Sequence, residues 1–341
     1  MDKPKLSRRN FLRAGLWGAS SLAGLTALSK VSSVAALPRP QAGSGDTDHG
    51  GHHGSGDGAV GDVDLTQFDP SVFLTNFDYG RTSTLENGQT LREWDVNAIN
   101  QNIEIAPGVI FPAWTYDGQV PGRTFRAQEG DRLRFHFGNG SSHPHTIHFH
   151  GIHPPSMDGL TPLVYTGEYF DYEFDARPYG LHLYHCHTMP LKRHIHKGLY
   201  GAFIIDPPGG RAPARELVMI MNAFDTNFDG ANEVYAVNSV AFHYSKHPIK
   251  VKVGELIRVY LVNITEFDLI NSFHLHAGMF RVYRTGTRLE QVDDYTDNVM
   301  LCQGERHVLE FTLEYPGQYM FHAHQSEFAE LGWLGMFEAE A

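Results

Sequence analysis

YEFDARPYGLHLYHCH (Tyr172–His187) returns later in the chain as LEFTLEYPGQYMFHAH (Leu309–His324), with the closing histidine pairs 137 residues apart. Each copy is a run of alternating apolar and polar side chains, a Pro/Gly turn, and a second run that ends in His-x-His. Alternation with a period of two marks a strand with one buried face. Working outward, FRAQEGDRLRFHFGN (Phe125–Asn139) is echoed by IKVKVGELIRVYLVN (Ile249–Asn263), two strands around a Gly turn in each case. HTIHFHG (His145–Gly151) pairs with NSFHLHA (Asn271–Ala277) at an offset of 126, and GLYGAFIID (198–206) pairs with GWLGMFEAE (332–340). Self-similarity at this scale means two copies of one β domain. The first covers 64–206 and the second 216–341, joined by the linker PPGGRAPAR at 207–215. The expected fold class is all-β, two tandem Greek-key β-sandwich domains.

The chain of 341 residues, 41% hydrophobic and 12% aromatic, has apolar surface enough for two cores. Its start, KLSRRNFLRAG, pairs Arg8 with Arg9 and precedes GLWGASSLAGLTAL, which is too short to cross a bilayer. That pattern resembles a twin-arginine export signal over 1–36, ending in the small residues SSVAA, and predicts a periplasmic or extracellular destination. Residues 37–63, rich in Gly, Asp and His, read as a flexible linker, with His49, His52 and His53 available to a metal. Removing 1–36 takes six bases and one acid from the 27 bases and 39 acids, leaving 21 against 38, a net −17. Such a surface argues against nucleic acid and against an anionic membrane as partner. Two cysteines make no disulfide framework; Cys302 reads as a small buried residue.

Cys186 is different, because it lies between two histidines in LYHCHTMPLKRHIH (Leu183–His196). His-x-His on a strand sets both imidazoles on one face about 7 Å apart along the strand. Four such pairs stand at matching places in the two repeats: His148/His150, His185/His187, His274/His276 and His322/His324. Neutral imidazoles gathered in this number call for a cation, and imidazole suits copper, zinc, iron or nickel. A thiolate joined by two imidazoles narrows the metal to the blue-copper type. His145 offers one imidazole and a histidine beyond the cysteine the other.

Taken together, HTIHFHG, the HCH motif with its following histidine and GLYG, and HLH and HAH in the second repeat resemble the multicopper oxidases, especially their two-domain, laccase-like members. The resemblance implies cupredoxin-like domains and four copper ions per chain. Carried onto this sequence, it makes His145, Cys186 and His194 the type 1 ligands, with Cys186 also the wire between centres. His148 and His274 become the type 2 ligands, and His150, His185, His187, His276, His322 and His324 the type 3 ligands. Asn271, Ala323 and Phe328 replace the type 1 set in the second repeat, so one blue site is expected per chain. The loop after Cys186 is longer than the laccase spacing, which leaves His194 and His196 both open; His194 keeps the four-residue step to Gly198. Leu199 occupies the register of an axial methionine, with Met189 the other candidate.

The resemblance further implies oxidation of phenolic, aromatic or metal-ion donors, one electron at a time, coupled to reduction of dioxygen to water. Asp158 in PPSMDGL is the expected proton relay, and Glu327 a second candidate. A homotrimer with clusters at subunit interfaces is also implied. The alternative enzyme is a copper-containing nitrite reductase, which resembles this chain in its domains but holds a single type 2 copper and lacks the histidine at position 187. A non-catalytic copper-binding protein is the remaining alternative.

Overall fold

The computed structural model describes residues 61–341; the signal expected over 1–36, and His49, His52 and His53, lie outside the described residues. Strands occupy 48% of the described residues and helices 8%, which makes the fold all-β. In the first sandwich, one sheet runs in the order Phe77–Asp78, Gly122–Gln128, Tyr200–Asp206, Gly180–His185, His148–Phe149. The facing sheet runs Arg81–Thr84, Thr90–Ala106, Arg132–Asn139, Tyr169–Asp175, with Val109–Tyr116 hairpinned onto Thr90–Ala106. The second sandwich pairs a six-stranded sheet centred on Arg215–Phe224, Ile257–Asn263 and Arg306–Phe311 with a five-stranded sheet that holds Gly317–His322 and Ile270–Leu275. These are cupredoxin-like sandwiches. Among the described residues no helix is long and apolar enough to cross a membrane.

Strand alternation explains each core. Along Arg132–Asn139, Leu133, Phe135 and Phe137 turn inward while Arg132, Arg134 and His136 turn out to Glu173, Glu93 and Asp171. Phe135 stacks on Trp94 with ring centroids 4.6 Å apart, the centre of the first core. Phe273, Phe321 and Trp333 fill the second. Each such ring, fully buried, contributes roughly 2–3 kcal/mol.

A third apolar cluster lies between the sandwiches. Leu181, Leu183, Ala202 and Ile204 meet Val218, Ile220, Tyr260 and Val262 there. Their strands are covered on both faces, which is why 215–224 and 257–263 are buried nearly throughout instead of alternating. Arg126 bonds Asp206 and Glu216, the two ends of the linker region, and Arg258 bonds Glu216 and Glu310. The two sandwiches therefore form one compact body.

Cys302 corrects one expectation. It is exposed at the end of the edge strand Asn298–Cys302, since alternation turns Leu301 inward and Cys302 outward, and its thiol faces Glu305 Oε2 at 3.5 Å.

Candidate metal centres

Three buried donors converge where the first sandwich meets its long loop. Cys186 leaves the strand Gly180–His185 and its N–H donates to Leu199 O at 2.9 Å. His145 is held by a two-way backbone bridge to Val164, and His194 comes from the helix Leu191–His196. Cys186 Sγ lies 3.3 Å from His194 Nδ1 and 3.7 Å from His145 Nδ1, and the two nitrogens are 3.0 Å apart. The backbone N–H of Thr146 donates to the sulfur at 3.4 Å, while Thr146 Oγ1 accepts from His187 N–H.

This triangle suits a metal ion. Two ring nitrogens 3.0 Å apart can share at most one proton, and His145 Nε2 is buried without a hydrogen-bond partner. Burial holds His145 down to about 3 and His194 to about 4, and pushes the Cys186 thiol up. Both rings are therefore neutral donors at physiological pH, and the dry site favours a cation that draws off the thiol proton. A thiolate with two imidazoles is a copper donor set.

Geometry chooses between the two open histidines. His196 turns away from the sulfur; its Nε2 accepts from Asp225 N–H at 3.0 Å, and Phe111 and Phe267 enclose the ring. Leu199 is fully buried in the core that contains Cys186, whereas Met189 is 76% exposed, so its thioether is not beside the buried sulfur. Gly198 lets the chain turn from the helix to Leu199: its φ is 113°, and a Cβ there would meet Val120 at 2.5 Å.

The histidine pairs form two matching tetrads. Strand register sets His148 opposite His185, and His274 opposite His322. In the first tetrad His150 Nε2 lies 3.2 Å from His185 Nε2, and the His148 ring is 5.3 Å from the His187 ring. In the second, His276 Nε2 lies 2.9 Å from His322 Nε2, and the His274 ring is 5.2 Å from the His324 ring. The Nδ1 atoms of His148, His185, His274 and His322 each donate to a backbone carbonyl, of Asp158, Cys186, Asp297 and Ala323. That fixes the tautomer and leaves Nε2 bare for a metal. The rings within each His-x-His pair are 4.8–6.1 Å apart, all closer than the strand rise gives, because every pair straddles a strand end. Among the described residues the donor groups of the two tetrads remain separate within one chain.

Asp158 Oδ1 lies 3.2 Å from His148 Nδ1 and 3.8 Å from His153 Nε2. Its turn depends on Gly159, where a Cβ would lie 2.2 Å from Ile147 O. Glu327 is exposed on the helix Ser326–Glu330 and makes no ion pair with a histidine among the described residues. Sequence reading missed Thr146, His153 and Trp114. Thr146 is flagged only by its place beside His145; Trp114 carries no local signal, yet its ring packs 4.9 Å from His194 and 5.3 Å from His145.

Burial also holds His150 at about 2 and His185 at about 4, and lowers His148, His276 and His322, with neighbouring imidazoles adding repulsion. A ring with its folded value below 6.5 binds fewer protons folded than unfolded in between. The stability it contributes is complete above pH 6.5 and is lost as pH falls toward 4. For metal-free protein, urea unfolding at pH 7 and pH 5 is expected to differ by roughly 2 kcal/mol per fully buried ring. An unchanged midpoint contradicts the neutral-ring assignment.

Two multicopper oxidase family models match the chain, one over residues 97–210 and the other over 212–341. A solved multicopper oxidase is 53% identical and superposes with a TM-score of 0.79, over 80% of this chain and 98% of its own. A copper nitrite reductase from Nitrosomonas europaea is 26% identical, with a TM-score of 0.68 over 73% and 94% of the two chains. The copper-containing nitrite reductase of Neisseria gonorrhoeae is 28% identical over 267 residues, 72% of this chain and 67% of that protein. With its two sandwiches each matched in turn, and with kinship to the copper nitrite reductases, the chain belongs to the multicopper oxidase family.

Proposed function

We propose that the protein is a laccase-like oxidase that takes single electrons from phenolic, aromatic or metal-ion donors and delivers four of them to dioxygen, giving two waters. The observation that carries this reading is the pair of mirrored tetrads, eight imidazoles of which His185 and His187 flank Cys186 directly. Copper, when bound, supplies the one-electron chemistry, four ions per chain in this reading. His145, Cys186 and His194 would hold the ion that meets the donor. His148 and His274 would hold type 2 copper, and His150, His185, His187, His276, His322 and His324 the type 3 pair.

The chain's own residues do the rest. The backbone 185–187 joins the thiol to the first tetrad through covalent bonds alone. Oxygen reduction consumes protons, and Asp158, half-buried against His148 and His153, is placed to hold and hand on one. Glu327, exposed, is the weaker relay and depends on a neighbouring subunit.

A tetrad needs its counterpart, and a ring of three subunits supplies it: the first sandwich of one chain against the second sandwich of the next. His276 and His324 are exposed; Met300, on the strand paired with Ile270–Leu275, is 64% exposed, and Leu269, just before that strand, is 89% exposed. Exposed apolar side chains on the sheet that carries these ligands suit a covered surface. Export by the signal over 1–36 to the periplasm or beyond belongs to the same proposal.

Nitrite reduction is the second reading, favoured by the named relatives. Copper content and an oxygen electrode separate the two. Four copper ions per chain, and one dioxygen consumed per four phenol oxidations without nitrite, support the oxidase. Two ions and donor oxidation only with nitrite support the reductase.

A further inference from the structure

Beyond residue 60 the chain has five lysines, and two of them, Lys192 and Lys197, line one cavity together with Arg193. The cavity holds about 630 Å³ and opens between the sandwiches, with Phe228 and Phe267 from the second forming its aromatic wall. Lys197 is 7% exposed, its ammonium 4.9 Å from the Phe111 ring centroid and 5.0 Å from that of Phe228. Lys192 lies 4.3 Å over Phe267. None of the three cations has an ion pair within 4 Å among the described residues. The acids that line or adjoin the cavity bond within their own loops: both Asp225 oxygens accept backbone N–H groups, from Asp229 and Gly230, Asp229 Oδ1 accepts from Ala231 N–H, and Glu266 accepts from Gln303 while attracting Lys192 only at longer range.

A cation buried against aromatic faces with no counter-ion is costly, and the cost falls when an anion enters. The wall itself is held in a rare backbone state: Phe228 and Phe267 have φ of 62° and 72°, which costs a bulky side chain on the order of 1 kcal/mol or more. Two strained aromatic residues from separate loops, both edge-on to the His196 ring, fix the shape of one cavity. Trp114 connects the cavity to the metal centre: Arg193 lies 5.0 Å and Lys197 5.9 Å over its ring, and its other neighbours are His194 and His145.

We infer that this cavity is the seat of an anionic aromatic donor, a phenol that carries a carboxylate, with the carboxylate drawn to Lys197 and Lys192 and the ring against Phe228 and Phe267. The inference rests on the oxidase reading and narrows it to an organic anion, because the three cations lining the cavity beside Asp225 and Asp229 have no ion pair among the described residues and Phe228 and Phe267 offer an aromatic wall. The phenol gives one electron toward His194 and its phenolic proton to solvent; dioxygen is the final acceptor, as proposed above.

The test uses copper-loaded full-length protein and two matched pairs of probes. Binding of 3,4,5-trimethoxybenzoate and of its methyl ester, neither a phenol, is read by titration calorimetry. Oxygen uptake is read with 4-hydroxy-3,5-dimethoxybenzoate and its methyl ester. The wild type is expected to favour the acid of each pair at least about tenfold, and Lys197→Met to lower that ratio about tenfold, through KM in the kinetic pair. Lys197→Arg restores it. Lys192→Met, at an exposed position, lowers it severalfold and guards against misfolding of the buried variant. Equal binding of acid and ester by the wild type, or a ratio unmoved by both lysine variants, overturns the inference. Acid binding that depends on Lys197 without any phenol-driven oxygen uptake overturns the oxidase reading and leaves the anion site standing.

Discussion

Cys186→Ser is expected to abolish the intense blue colour, reduce copper from four ions per chain to three, and lower donor oxidation by about a thousandfold or more, some 4 kcal/mol in barrier. The sulfur has two duties that a hydroxyl cannot share. It is the soft donor of the triangle with His145 and His194, at 3.7 and 3.3 Å from their Nδ1 atoms. It is also the side chain through which residues 185–187 join that triangle to the first tetrad. Serine is close in volume, so the packing around the fully buried site survives, and the four tetrad imidazoles held by backbone carbonyls, His148, His185, His274 and His322, keep those anchors. Visible spectra, copper analysis and oxygen uptake on the same preparation read all three effects. His196→Gln is the internal control: His196 accepts only from Asp225 N–H, so the variant keeps its colour. Colour retained by Cys186→Ser, or lost in His196→Gln, would refute the ligand set.

The second large effect is complementation between two dead enzymes. His148→Ala breaks the first tetrad and His274→Ala the second, and each variant alone is expected to be inactive. In a head-to-tail ring the first tetrad of one chain meets the second tetrad of the next. When the two variants are unfolded together in equal amounts and reassembled with copper, half the chains carry an intact first tetrad and half an intact second. About a quarter of the junctions then join two intact tetrads, so about a quarter of wild-type activity returns. The chain that supplies the good first tetrad in those junctions also has its own Cys186, so electron entry is intact. If one chain closed both tetrads on itself, every cluster in the mixture would be damaged and nothing would return. The separation of the two tetrads within the chain and the exposure of His276 and His324 lead us to expect recovery.

Much of this molecule was legible in the sequence because strand geometry is local. A period of two decides which side chains face inward, so Leu133, Phe135 and Phe137 could be assigned to a core without coordinates. The repeat placed four His-x-His pairs at equivalent strand ends, and the structure sets them opposite one another at His148/His185 and His274/His322. Copper as the metal followed from one thiol among imidazoles.

Other features were invisible because they depend on packing between distant segments. His194 and His196 look equivalent in the sequence; two steps along a helix rotate a side chain by about 200°, so only one can face Cys186 while the other meets the Asp225 loop. Met189 and Leu199 were both candidates for the fourth side of the triangle until burial took Leu199 into the core and left Met189 at the surface. Cys302 read as buried by composition and is exposed by the parity of its edge strand. Nor does any local pattern bring Phe111, Phe228 and Trp114 to Lys197. Strands, repeat and donor chemistry are legible along the chain, since they follow from backbone periodicity and side-chain type. Which of several equivalent donors converge is set by contacts between distant segments that no local period encodes, so it emerges only on folding.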